Sequence, residues 1–116
     1  VMTVVHLFHD DPDSLLIGSR LPRRMAEAAR PDDPPLEVFV FGAAQRRLGR
    51  TDTDLDRRFN EQIDELLAAG IPVGACVTLA RADGLEDALR ARGLSLVIAR
   101  DAFLRYSREG ATVIGF

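Results

Sequence analysis

Five short apolar runs, each separated from the next by a helix-like segment, constrain this chain more than any other feature. They are TVVHLF (Thr3–Phe8), LEVFVF (Leu36–Phe41), IPVGACV (Ile71–Val77), LSLVIA (Leu94–Ala99) and ATVIGF (Ala111–Phe116). Each is rich in β-branched or aromatic residues and too short for a helix. The middle runs are nearly continuous rather than alternating, as strands covered on both faces are. Between them, Leu55, Phe59, Ile63, Leu66 and Leu67 form one helical stripe, which Thr53 or Asp54 can cap and Gly70 ends. Leu85, Ala88 and Leu89 mark a second helix closed by Gly93. Phe103 and Leu104 mark a third, with Asp101 as its expected cap and Gly110 as its stop. A first helix from about Ser14 to Ala29 contains Pro22, which is expected to kink or restart it. RPDDPP (Arg30–Pro35) reads as a turn.

The alternation β-α-β-α-β-α-β-α-β predicts right-handed crossovers and one open parallel sheet with helices on both faces. At 116 residues the chain makes a single domain, residues 1–116, with enough length for a normal core. In such sheets ligands sit beyond the carboxyl ends of the strands. Three segments fall at that edge: HDDPDS (His9–Ser14), GAAQRRLGRTDTD (Gly42–Asp54) and CVTLARADG (Cys76–Gly84).

Composition removes several chemistries. All fifteen basic residues are arginine, so Schiff-base formation, pyridoxal phosphate anchoring and a Walker A phosphate grip have no lysine to use. A net charge of −3 gives no global reason to bind nucleic acid or an anionic membrane. The single cysteine, Cys76, cannot form an internal disulfide, and the N-terminal apolar stretch is too short for a signal peptide or a span; the expected location is the cytoplasm. Asp10 and Asp11 after the first strand suggest a phosphoacceptor receiver domain. That design fails, because Cys76 stands where the acceptor aspartate belongs and no lysine follows the fifth strand. Asp10, Asp11 and Asp13 read instead as turn and cap residues. HDDPDS would repel a flavin phosphate, no G-x-G-x-x-G occurs, and CVTLAR lacks the amide-rich wrap of a rhodanese loop. His6 and His9 project to opposite faces of an extended strand and cannot share a metal ion. No cofactor is expected.

Two candidate features remain. Arg46, Arg47 and Arg50, with Arg81, could form a local site for an anionic partner; an ordinary solvated surface, with arginine in place of lysine, is the simpler account, because charge clusters are usually solvated. Cys76 ends the third strand, just ahead of a helix whose N-terminal partial charge favours thiolate. A free cysteine at a strand end can equally be a packing residue. The residues alone leave both readings open.

The stretch FNEQIDELLAAGIPVGACVTLARADGL resembles the DsrE/DsrF-like family, small sulfur-relay proteins related to the TusD and YchN-like groups. The likeness is carried by Leu67, Gly70, Ile71, Cys76, Val77, Ala80 and Gly84. It continues upstream in VFVFGAAQRRL and downstream in LSLVIARDAFLRYSREGATVIGF. This resemblance implies a three-layer α/β/α fold with a five-stranded parallel sheet in the order 2-1-3-4-5. It also implies homo-oligomers, either trimers or dimers of trimers, and sulfur donor and acceptor proteins as partners. Cys76 would carry sulfane sulfur as a persulfide. Thr78, at the helix start, would help stabilise the thiolate, with His9, Arg46, Arg47 and Arg81 as assisting residues. An oligomeric module binding a small anionic ligand, with a structural Cys76, is the alternative. The chain departs from the relay subunits in its first loop and its arginine-rich second loop.

Overall fold

The β-branched and aromatic runs form the strands, trimmed at their ends where the backbone turns into the next helix. A computed structural model describes residues Val1–Phe116. The strands are β1 (Thr3–Leu7), β2 (Leu36–Val40), β3 (Val73–Cys76), β4 (Ser95–Val97) and β5 (Thr112–Gly115). The helices are α1 (Pro12–Ala28), α2 (Gly42–Arg46), α3 (Asp54–Ala68), α4 (Val77–Ala82), α5 (Glu86–Arg92) and α6 (Ala99–Arg108), with one 3-10 turn at Arg47–Gly49. None is long and apolar enough to cross a membrane.

All four strand pairings are parallel, and the five strands form a single sheet. Helices cover both faces, as the alternation predicts. The strand order is 4-3-2-1-5, where the family resemblance implied 2-1-3-4-5. The reason lies in where the crossovers run. Leu15 of α1, Phe59, Ile63 and Leu66 of α3 and Leu89 of α5 share one core with Val5, Leu7, Val38, Val40 and Ala75. Right-handed crossovers on one face must all advance the sheet in the same direction, so β1 to β4 follow in sequence. Only α6 lies on the other face, where Ala99, Ala102 and Tyr106 pack on Met2, Val4, Phe39 and Cys76. It reverses the direction and delivers β5 to the free side of β1. The order 2-1-3-4-5 would have required α1 and α3 on opposite faces.

Local signals account for most boundaries. Thr53 Oγ1 accepts from Asp56 N at 3.0 Å and caps α3, and Gly93, at φ 102°, closes α5. Asp11 caps α1 by accepting from Ser14 N at 3.1 Å, and Pro12 occupies the first helical position, where its missing N–H costs nothing. Two expectations are corrected. Helix α1 continues through Pro22 without a restart, and the buried proline ring adds to the packing that holds it. Asp101 does not cap α6; Ile98 occupies the cap position because β4 runs almost directly into the helix.

Candidate functional site

Cys76 is the last residue of β3 and the cap residue of α4, with extended backbone (φ −76°, ψ 122°). Its neighbour across the sheet is Val97 of β4. The chain leaves these two strands towards opposite faces: Ala80 of α4 joins the core under α1 and α3, whereas α6 covers the other side. That divergence makes the carboxyl end of β3 and β4 the topological switch point of the sheet, where open α/β sheets place their ligands.

The Cys76 backbone is held by a side chain that sequence reasoning did not single out. β2 pairs with β3 only as far as Val40 and Ala75. One step further on, the Gln45 amide replaces a strand residue: Cys76 N donates to Gln45 Oε1 at 3.0 Å, and Gln45 Nε2 donates to Cys76 O at 2.8 Å. Gln45 is only 1% exposed. A glutamine inside GAAQRRLGR carries no periodic or motif signal. Its burial is the only feature that marks it, and burial is a tertiary property.

Cys76 is buried, with 5% of the residue exposed. Burial is the largest single influence on the thiol and pushes its pKa up. The amides of Leu79, Ala99 and Thr78, with the Thr78 hydroxyl, act together in the other direction and hold it below the ordinary thiol value. These donors come from the first turns of both α4 and α6, so two helix starts bear on one sulfur. Among the hydrogen bonds of the structure none ends on Sγ, so the amides act as oriented dipoles.

The remaining candidates are distributed along the same sheet edge without converging on the sulfur. Thr78 is exposed at the second position of α4. Arg46 ends α2, with its guanidinium 3.9 Å from Asp83. Arg47 is committed to Asp10 and to the buried Asp56, both at 3.2 Å. Arg81 is paired with Glu86 at 3.0 Å. His9 lies in the loop after β1 and stacks edge-on against Phe8 at 5.3 Å. Strand β2 stands between it and β3, so the two strands are about 10 Å apart. His6 is enclosed by Phe8, Phe39 and Phe103, and its Nε2 has no partner. Burial first, and His9 second, lower its pKa and so favour its neutral form. No three metal-ligating side chains gather anywhere in the chain.

Fold and site together define an open parallel α/β domain with a buried, dipole-supported thiol at its switch point. No protein-family model matches the chain, and no curated protein does. Solved structures do match. A conserved protein of unknown function from Bacteroides thetaiotaomicron superposes with a TM-score of 0.77 at 14% identity, over 99% of this chain and 94% of that one. A protein of unknown function from Methanobacterium thermoautotrophicum gives 0.76 at 21% identity, over 99% and 98%. The ychN protein of E. coli gives 0.66 at 19% identity, over the full length of both chains. At these identities the likeness carries the fold alone. At the level of fold it agrees with the YchN-related resemblance of the sequence.

Proposed function

We propose that this chain is a sulfur carrier that holds sulfane sulfur as a persulfide on Cys76. In the loading step the Cys76 thiolate attacks the outer sulfur of a donor persulfide, R–S–SH. The new S–S bond forms on Cys76 as the donor's own S–S bond breaks, and the donor leaves as the thiolate R–S⁻. In the unloading step an acceptor thiolate attacks the outer sulfur, and Cys76 leaves as thiolate again. Both steps need Cys76 as an anion, and the observation that supports the reading is the set of amides from α4 and α6 that favours the anion in spite of burial. Donor and acceptor proteins and homo-oligomers built on trimers belong to the same proposal and rest on the sequence resemblance; a cytoplasmic location belongs to it too and rests on the lone cysteine and the short N-terminal apolar stretch.

A second reading has its own support: Cys76 packs in a cluster with Phe39, Ala102 and Tyr106, as a structural cysteine would. One experiment separates the two. After incubation of the native protein with a small persulfide donor, intact mass should increase by one sulfur atom, and Cys76→Ser should show no increase. Native protein that gains no sulfur, with a thiol that alkylates only on unfolding, would overturn the carrier reading and leave Cys76 as a packing residue.

A further inference from the structure

On the opposite flank of the molecule, α1 and α3 pack side by side and leave an open cleft of about 290 Å³ between them. Four arginines line it: Arg20, Arg23 and Arg24 from α1, and Arg58 from α3. Glutamates are present as well, and their pairing divides the cleft. Glu27 is taken by Arg23 at 3.4 Å and Arg24 at 3.8 Å, and Glu65 by Arg23 at 3.2 Å. Arg20 and Arg58 both line the cleft with no carboxylate within 4 Å, leaving Glu61 as the one unpaired acid among the lining residues. The end of the cleft nearer the start of α1 therefore has two uncommitted guanidinium groups.

Its floor is polar and buried. Gln62 is 7% exposed, and its Nε2 donates to Leu16 O at 3.0 Å and to Ser19 Oγ at 2.6 Å. Ser19, 1% exposed, donates its hydroxyl hydrogen bond to Leu15 O at 2.6 Å. These bonds fix the orientation of the Gln62 amide, and its Oε1 accepts nothing from the protein. Oε1 is not sealed from solvent and is therefore open to a donor in the cleft. The cleft opens into a second cavity of about 380 Å³, which shares Arg20, Arg24, Arg58 and Gln62 with it and adds Leu16, Ile17 and Leu21 as a wall. Ile17 is 53% exposed there.

We propose that this groove is a binding site for a small organic carboxylate with an apolar body and an N–H donor beside the acid. The carboxylate sits between Arg20 and Arg58, whose planar forks suit it. The donor meets Gln62 Oε1, and the apolar part lies on Leu16, Ile17 and Leu21. The volume falls within the range of small-ligand sites. The site is separate from Cys76 and does not depend on what that thiol does.

The probe is N-acetyl-L-leucine, with N-acetyl-L-leucinamide as the uncharged control, titrated into the full chain and followed by amide chemical shifts. The expected result is saturable shifts confined to α1 and α3, with the amide form at least about tenfold weaker. Replacing both guanidinium groups, Arg20→Gln with Arg58→Gln, should weaken the acid by about tenfold or more, since charge-assisted bonds to both are lost. Both arginines are exposed, so the variant should unfold at the same urea concentration as the parent. Absence of saturation, shifts outside this groove, equal binding of acid and amide, or unchanged binding by the double variant would each overturn the proposal. The comparison of acid with amide needs only the parent protein and decides the matter even if the variant folds poorly.

Discussion

Replacing Gln45 with methionine tests how the thiol is held. Methionine has similar length and volume, so no sizeable cavity opens, but both amide bonds to Cys76 disappear. The Cys76 N–H loses its acceptor in a buried site, which costs about 1–3 kcal/mol, and its carbonyl loses a donor worth about 0.5–1.5 kcal/mol. The sum is about 1.5–4.5 kcal/mol, a large part of the roughly 5–15 kcal/mol that stabilises a domain of this size. Urea unfolding should show that loss with an unchanged slope, and the thermal midpoint should fall by on the order of 10 °C. A second readout concerns the sulfur. Without the clamp, the first turn of α4 is free to drift relative to α6, and the pH profile of Cys76 alkylation should move upward. Gln45→Glu keeps an acceptor for the N–H but places a carboxylate beside the thiolate, so its profile should move upward with a smaller loss of stability. A loss below about 0.5 kcal/mol for Gln45→Met, with an unmoved alkylation profile, would refute this account of the clamp.

The folded-state pKa of Cys76 lies below its ordinary value of 9.0. The resulting stabilisation is therefore present above 9.0 and is lost as pH falls through the folded value. The stability difference between the parent and Cys76→Ser should grow with pH across that window in urea titrations, and a flat difference would remove the amide argument. For His6 the folded pKa lies below 6.5, so the protein should lose stability as pH drops from 6.5 through the folded value. His6→Phe, which removes the titration and the unpartnered Nε2 within an aromatic setting, should flatten that part of the profile. Gly18→Ala would drive a Cβ into Leu7 Cδ2 and to 3.0 Å from Phe116 Cβ, and should cost about 1–3 kcal/mol in the same assay.

The strands were legible because β-branched runs between helical stripes carry their own period, and Thr53, Gly70 and Gly93 act within a few residues of the helices they bound. Strand order was not legible in the same way. Both 2-1-3-4-5 and 4-3-2-1-5 have the same β-α alternation, and they differ in the faces that α1 and α6 take: in the observed order α1 lies on the same face as α3 and α6 on the opposite one, a choice made by packing. The position of Cys76 at the sheet edge followed from its place at the end of an apolar run. Gln45 did not follow from anything local. Nor did the fate of the arginines: sequence brings Arg46, Arg47 and Arg81 to one edge, but Asp83, Asp10 with Asp56, and Glu86 claim them through contacts that only the folded chain creates. Asp101 misled because a helix that starts straight out of a strand needs no loop residue to cap it.

The solitary position of α6 also fixes when the molecule can be finished. The pairing of β1 with β5 joins Thr3 to Thr112, almost the full span of the chain, while β1 to β4 are joined by successive short crossovers. Contacts this distant in sequence carry the largest loop-closure cost and form late. During synthesis, β1 must therefore wait with one edge unpaired until Thr112–Gly115 emerge, and Val4 and Phe39 stay uncovered until α6 does. The segment α6–β5 acts as a latch: a chain arrested before residue 99 has most of its sheet but presents an open apolar face and a free β1 edge, and one arrested before residue 112 still leaves that edge free, the features that recruit chaperones and invite aggregation.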